Sequence, residues 1–188
     1  MEEVKEAMKV TILKEAGVEE ALLGLSLSYN QPVEKMKSVA DRLAHKDPSE
    51  SKFLRFITVW LDITAPRYWF TQLDTYKVGK EQLSESTMHA LMRGIKYSED
   101  YVPETSMLSI QVVNNAIWDG NFAGAKANLP EGFLQRRILC TNYQTLGRII
   151  SQRRNHKLPE WHLFIRAILT QVEHPEWLPG YENAKDEI

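Results

Sequence analysis

The chain has few of the features that mark secreted or membrane proteins. Its 188 residues include a single cysteine, Cys140, which excludes an internal disulfide and a zinc site built from several cysteines. No run of about 18 apolar residues occurs, as a transmembrane helix would require. The first residues, MEEVKEAMKV, lack the basic and apolar segments of a secretory signal. These absences predict a cytoplasmic protein that does not bind membranes.

The chain also lacks a strong net charge. Lys and Arg together number 23 and Asp and Glu 25, which argues against a protein that coats nucleic acid through bulk charge. Acidic residues concentrate at the two ends, among them Glu2, Glu3, Asp186 and Glu187, whereas residues 136–157 hold arginines and a lysine but no acid. Local positive charge suits a discrete anionic ligand. The alternative is a solvated helix face whose arginines pair with acids elsewhere.

The common catalytic motifs are missing. There is no Gly-rich phosphate loop and no G-x-S-x-G elbow. The histidines show no paired ligand spacing, since His156 and His162 would lie on opposite sides of a helix, so no metal site is predicted. Cys140, between Leu139 and Thr141, is interpreted as a core cysteine rather than a nucleophile. Aromatic residues near 68–76 are expected in a core or subunit interface, with stacking on a ligand ring as the alternative.

Hydrophobic periodicity predicts an α+β fold that is rich in helices and forms one domain over residues 1–188. Strands are expected at 9–13 and 53–65, a turn at Asp47–Ser49, a break at 128–130 and an irregular tail after Pro175. Helices are predicted at 19–29, 33–43, 87–93, 106–119, 131–154 and 159–172. In the long helix 131–154, Asn142 and Arg153 would share one stripe about 16 Å apart.

That stripe and its surroundings resemble the flavin-dependent thymidylate synthases. Residues 129–168 are similar to the end of those enzymes, and residues 61–86 and 21–30 to their strand, signature loop and first helix. The matching positions are Ala65-Pro66, Gln72, Leu83-Ser84, Leu129-Pro130, Asn142, Thr145-Leu146, Arg153 and Trp161. The resemblance implies the fold of that family, with a small antiparallel sheet.

The resemblance also implies a function. These enzymes are homotetramers with FAD at subunit interfaces, and flavin recharged by NADPH helps to move a one-carbon unit from methylenetetrahydrofolate to dUMP. They need no cysteine nucleophile, which suits a lone Cys140. By position, cofactor-binding residues would be Asn142, Tyr76 and Lys77, and substrate-binding residues would be Gln72, Leu83, Ser84, Ser86, Gln144 and Arg153. Arg153 would also be the catalytic residue, because its guanidinium fork can hold the uracil carbonyls and stabilise developing negative charge.

Several positions depart from the family pattern. Thr75, Tyr76 and Lys77 stand where the family has Arg-His-Arg, and Ser86 and Gln144 each replace an arginine. The family's His and Glu are lost in residues 51–55. Each lost phosphate-directed arginine removes about 1.5 to 3 kcal/mol of charge-assisted hydrogen bonding, for which Arg67, Lys77 or Lys80 would have to substitute.

Three hypotheses remain open. The chain is a divergent enzyme that methylates dUMP or modifies a related pyrimidine nucleotide, or it is an inactive homotetrameric paralogue that serves as a nucleotide-binding or protein-interaction module. In the third, the resemblance is accidental and the basic segment binds a protein partner.

Overall fold

The computed structural model describes residues 8–184 and has the predicted α+β fold. A four-stranded antiparallel sheet has the order β1-β2-β4-β3. Its strands are β1 Lys9–Ala16, β2 Thr58–Pro66, β3 Lys80–Ser84 and β4 Leu134–Asn142. The helices are α1 Val18–Tyr29, α2 Met36–Leu43, α3 Arg67–Leu73, α4 Thr87–Met92, α5 Met107–Trp118, α6 Phe122–Ala127, α7 Tyr143–Arg153, α8 Pro159–Gln171 and α9 Tyr181–Ala184. The acidic residues Glu2, Glu3, Asp186 and Glu187 lie outside the described residues.

The contacts divide the chain into two compact units. Among the described residues, the first unit consists of residues 8–9, Ile63–Thr75 and Leu83–Ile138, and the second of Val10–Asp62, Tyr76–Gln82 and residues 139–184. The chain passes between the units within each of the four strands and once more between Thr75 and Tyr76. The single domain expected from the sequence stays a prediction.

Strand β2 shows the alternation of a strand with one face in a core. Val59, Leu61, Ile63 and Ala65 are fully buried, whereas the residues between them are half-buried. The predicted strand 53–65 was therefore right for its second half. Its first residues instead form a 3-10 turn, Lys52–Arg55, in which Phe53 and Leu54 are buried.

Each unit has an apolar centre. In the first, helices α4, α5 and α6 enclose a cluster with Tyr101 and Phe133, whose rings meet edge to face with centroids 5.4 Å apart. In the second, the apolar faces of α7 and α8 are buried. These faces consist of Leu146, Ile149, Ile150, Trp161, Phe164 and Ile168.

The predicted helix 131–154 is wrong. Residues Leu134–Asn142 form β4, and α7 begins only at Tyr143. Asn142 is not a helical residue but the N-cap of α7, because its Oδ1 accepts a hydrogen bond from the amide of Thr145 at 2.9 Å. The basic segment is thus part strand and part helix, and Cys140 lies in a strand, half-buried, rather than in a helix.

The other predicted elements are confirmed to within a few residues, whereas α3, β3, α6 and α9 were not predicted. The tail after Pro175 was expected to be irregular. It contains instead a 3-10 turn, Pro175–Trp177, and the short helix α9, and Trp177 is almost completely buried.

Candidate functional site

A pocket of about 750 Å³ lies within the second unit, around the start of α7. That volume is in the range of about 300 to 1,000 Å³ that is usual for small-molecule sites. Its wall combines the segment after α2, the end of the 3-10 turn at 52–55, residues 78–79, the exposed face of α7 and part of the C-terminal segment. The lining residues are Ala44, His45, Lys46, Pro48, Ser51, Leu54, Arg55, Val78, Gly79, Asn142, Tyr143, Gln144, Thr145, Gly147, Arg148, Ser151, Trp177 and Pro179.

One face of α7 forms a wall of this pocket. Gln144, Gly147, Arg148 and Ser151 line it, and their spacing of three and four residues places them on one side of a helix. Arg153 follows Gln144 by nine residues, which at about 100° per residue turns its side chain to roughly the opposite side. Arg153 is accordingly not among the lining residues, so α7 carries two separate basic positions.

The segment Val78–Gly79 is held against the start of α7. The hydroxyl of Thr141 donates to the carbonyl of Gly79 at 2.8 Å, and Arg148 donates from a terminal nitrogen to the carbonyl of Val78 at 3.0 Å. Gly79 has φ +80, and a Cβ built on it would lie 2.2 Å from Oγ1 of Thr145. Only glycine fits here, because the backbone is left-handed and the neighbouring side chain occupies the space.

Among the described residues, the lining contains basic side chains and no carboxylate. Lys46 forms an exposed ion pair with Glu50 at 3.2 Å. Arg55 and Arg148 are hydrogen-bonded to uncharged acceptors instead: Arg55 donates to Oε1 of Gln144 at 2.5 Å and to the carbonyl of Pro48 at 3.3 Å. The pocket therefore offers two guanidinium charges to a negatively charged ligand.

Arg153, the predicted catalytic residue, lies between two aromatic rings. Its guanidinium carbon is 5.5 Å from the ring centroid of Tyr76 and 4.9 Å from that of Trp161, and its Nε donates to the hydroxyl of Tyr76 at 3.0 Å. The structure thus brings together two predicted site residues, Arg153 and Tyr76, in direct contact. Arg148 approaches the same tyrosine ring at 5.7 Å.

Tyr143, which lines the pocket, and the half-buried Glu15 and Glu176 belong to a group of hydrogen-bonded polar side chains. Tyr143 donates from its hydroxyl to Glu15 at 2.5 Å. Burial is the main reason that the pKa of Tyr143 and that of Glu15 are both raised. Burial also disfavours the charged form of Glu176, but hydrogen bonds from Lys37 and His174 outweigh it and lower the pKa of Glu176 to about 2.

The remaining predicted contacts are divided between the two units. Asn142 and Gln144 line the pocket of the second unit, and Lys77 is exposed in the same unit. The first unit contains Gln72, which is half-buried, and Leu83, Ser84 and Ser86, which are exposed. Ser86 caps α4, where its hydroxyl accepts from the amide of His89 at 3.3 Å.

Three arginines of the first unit, Arg67, Arg93 and Arg137, pair with carboxylates. Arg67, considered above as a replacement phosphate ligand, pairs with Glu131 at 3.1 Å and donates to the carbonyl of Leu129 at 3.0 Å. Arg137 pairs with Asp74 at 3.0 Å and stacks over the ring of Phe70 at 4.0 Å. These charges stabilise the unit itself.

Within residues 8–184, no group of three His, Cys, Asp or Glu side chains is placed to hold a metal ion. In the same range, no helix is both long and apolar enough to cross a membrane. Burial and the nearby charge of Glu81 raise the pKa of the Cys140 thiol, which disfavours the thiolate that a nucleophile needs.

Sequence reasoning missed several pocket residues. Arg148 lies in the basic segment that was noticed, but without the boundary between β4 and α7 its face could not be assigned. No sequence pattern marks Arg55, His45 or Lys46 as site residues, because the fold of the segment after α2 is what brings them to the pocket. Trp177 was assigned to an irregular tail.

The sequence matches no protein-family model and no curated protein sequence. Solved structures do match. Thymidylate Synthase X (ThyX) from Helicobacter pylori with FAD and dUMP superposes with a TM-score of 0.77 at 16% identity, over 93% of this chain and 98% of that one. A second structure of flavin-dependent ThyX from Helicobacter pylori with FAD and dUMP gives 0.74 at 15% identity, over 91% and 98%.

A related methylase matches as well. The UMP/dUMP methylase PolB from Streptomyces cacaoi, bound with 5-Br UMP, superposes with a TM-score of 0.68 at 12% identity, over 98% of this chain and 96% of that one. The chain therefore has the fold of the flavin-dependent thymidylate synthases, as the sequence resemblance predicted.

Proposed function

We propose that this chain, which has the fold of the flavin-dependent thymidylate synthases, binds FAD and a pyrimidine deoxynucleotide and methylates dUMP or modifies a related pyrimidine. The observation that carries the proposal is the pocket of about 750 Å³ at the start of α7, which has two guanidinium groups and, within residues 8–184, no lining carboxylate. The structures that share the fold contain FAD and dUMP, and a pocket of this charge suits the phosphate groups of either compound.

The donors of the pocket fit a flavin. Because Oδ1 of Asn142 caps α7, its Nδ2 is the group that would donate to a flavin carbonyl. Arg148, on the pocket face of α7, and the exposed Lys77 would face the FAD diphosphate. Tyr76 would contribute to the cofactor site indirectly, by holding Arg148, whose guanidinium lies over the ring of Tyr76. Bound FAD would supply hydride transfer, and NADPH and methylenetetrahydrofolate are the reductant and one-carbon donor that the resemblance implies.

Arg153 would hold the pyrimidine. Its Nε already donates to Tyr76, and this nitrogen is not part of the terminal fork of the guanidinium. The terminal nitrogens would donate to the carbonyls of uracil and stabilise negative charge that develops there. Gln72, Leu83, Ser84 and Ser86 complete the proposed nucleotide contacts.

A second candidate is a nucleotide-binding or protein-interaction module without catalytic activity. The enclosure of Arg153 by Tyr76 and Trp161 favours it, because a guanidinium that is stacked and hydrogen-bonded within the protein has less freedom to follow a reacting ring. In this candidate the fold and a ligand site are retained, whereas the chemistry is lost.

Complementation of a thymidine-requiring bacterium separates the two candidates. Growth without thymidine supports the enzyme, provided that an Arg153→Ala variant expressed at the same level does not grow. If the purified protein binds dUMP in calorimetry but does not restore growth, methylation of dUMP is rejected and nucleotide binding is retained. Absence of binding to both FAD and dUMP rejects both nucleotide functions.

A homotetramer in the cytoplasm belongs to the same proposal. The expected result in size-exclusion chromatography with light scattering is a mass near four times the 21.7 kDa of the chain. A monomer that nevertheless binds FAD would show that the flavin site needs no second copy.

A further inference from the structure

Arg55 is one of the arginines of the second unit that donate to uncharged acceptors. Its Nε donates to Oε1 of Gln144 and one terminal nitrogen donates to the carbonyl of Pro48. Both acceptors are uncharged, whereas Arg67, Arg93 and Arg137 pair with carboxylates. The positive charge of Arg55 is thus held in a defined position, and no carboxylate of the part of the chain that the structure describes pairs with it.

The position of Arg55 is set from two sides. The amide of Gln144 accepts from Arg55 through its oxygen and donates from Nε2 to the carbonyl of Pro48 at 3.1 Å. The same carbonyl accepts from Arg55 at 3.3 Å. Arg55, Gln144 and Pro48 therefore form a closed triangle of hydrogen bonds, and all three line the pocket. A side chain held in this way loses less conformational entropy when it binds a ligand.

From this triangle we infer that Arg55 is a phosphate-recognising residue of the pocket and that Gln144 is a positioning residue that acts through it. The bonds to Gln144 and Pro48 use Nε and one N–H of a terminal nitrogen, and the remaining N–H groups of the planar guanidinium can donate to the oxygens of a phosphate group. The inference rests on the proposed function in that the ligand of the pocket carries phosphate. It assigns Gln144 an indirect role, in place of the direct substrate contact expected from the sequence.

The test compares ligands that differ in one phosphate group. FMN and riboflavin share the flavin ring, so the ratio of their affinities measures phosphate recognition alone. Inorganic pyrophosphate tests the anion site without any flavin. Calorimetry with these three probes is applied to the full chain, to Arg55→Met and to Arg166→Met, a matched control that removes an exposed arginine of the same unit from outside the pocket lining.

We expect Arg55→Met to lower the affinity for FMN and for pyrophosphate about 10- to 100-fold, which corresponds to the loss of one charge-assisted hydrogen bond. The affinity for riboflavin should not change. Arg55→Lys should recover only part of the loss, because an ammonium lacks the fork. Arg166→Met should bind all three probes as the original chain does. If Arg55→Met binds FMN and pyrophosphate as tightly as the original chain, the inference is wrong.

Gln144→Ala distinguishes positioning from direct contact. In the original chain it should lower the affinity for FMN several-fold. In the Arg55→Met variant it should have no further effect on that affinity, since Gln144 acts only through Arg55. An equal loss in both backgrounds would overturn the positioning role. Equal binding of FMN and riboflavin by the original chain would overturn phosphate recognition but leave flavin binding intact. If pyrophosphate binds and depends on Arg55 while FAD and dUMP do not bind, the proposed function is rejected and the inference about Arg55 is retained. If neither FMN nor pyrophosphate binds, the inference about Arg55 is rejected.

Discussion

Arg153 donates a hydrogen bond from Nε to the hydroxyl of Tyr76 at 3.0 Å, although the two residues are 77 positions apart in the chain. Tyr76 stands where the related enzymes have a basic residue, so a tyrosine now supports the arginine proposed to hold the pyrimidine. Trp161 covers the guanidinium from another side. Tyr76, which departs from the residue pattern of the related enzymes, and Arg153, which matches it, are therefore in direct contact.

Removing the acceptor should destabilise the second unit. Tyr76→Phe leaves the half-buried Nε of Arg153 without its acceptor while the stacking is kept, and we expect the free energy of unfolding to fall by about 1 to 2 kcal/mol. Urea denaturation measures the change. Tyr29→Phe, at an exposed tyrosine, is the control and should have no effect. Equal stability of the Tyr76 variant and the original chain would mean that the hydrogen bond contributes nothing.

Arg153→Ala should weaken dUMP binding about tenfold or more in calorimetry, because at least one charge-assisted hydrogen bond to the pyrimidine is lost. Arg154→Ala removes the neighbouring, exposed arginine and should bind dUMP normally. Unchanged affinity in the Arg153 variant would remove this residue from the site and leave Arg55 and Arg148 as the basic residues that bind the nucleotide.

The sequence predicted an element best where its apolar residues follow the period of either a strand or a helix. Strand β1 begins at the predicted residue Lys9, and α8 begins at Pro159 as expected. The long helix 131–154 failed because Leu134, Ile138 and Leu139 continue the helical spacing of Leu146 and Ile149 by coincidence. The missed signal was Asn142, a good N-cap residue immediately before a helix. Strand β3 was not predicted because its sequence, KEQLS, is mostly polar and its side chains are largely exposed.

The pocket was less predictable than the fold. Asn142 and Gln144 were found through the resemblance, since they lie in a matching segment. Arg55 was not, because its role depends on hydrogen bonds to Gln144, 89 positions away, and to Pro48. Phe53 was assigned to a strand, yet it is buried with its ring 5.6 Å from that of Trp177. Contacts between residues so far apart in the chain leave no local pattern.

Gly79→Ala should disturb the wall of the pocket. The new Cβ would lie 2.2 Å from Oγ1 of Thr145, on a backbone with φ +80. We expect a loss of about 2 to 4 kcal/mol in the free energy of unfolding, from clash and backbone strain together. Gly120→Ala is the matched control, since Gly120 has φ +68 but nothing within 4 Å of its Cβ position. It should lose only about 1 to 2 kcal/mol. Equal losses would show that the contact with Thr145 relaxes without cost.

Glu176 should make stability depend on pH in the acid range. Its pKa falls from the usual 4.5 to about 2 in the folded chain, so its contribution is present above pH 4.5 and is lost as the pH falls toward 2. Because its side chain is 35% exposed, screening limits the effect to about 1 kcal/mol. Glu176→Gln should lower stability at pH 7 and much less at pH 2.5, measured by urea denaturation. Glu34→Gln, at an exposed position, should show no such dependence, and a Glu176 variant with the same deficit at both pH values would contradict the ion-pair origin.

Titration of FAD with the purified chain tests the flavin site most directly. Saturable quenching of flavin emission and a shift of its absorption band are expected, both weakened in Arg148→Met and unchanged in Arg166→Met. Flavin emission and absorption that stay those of free FAD throughout the titration would contradict the flavin function, whatever the fold.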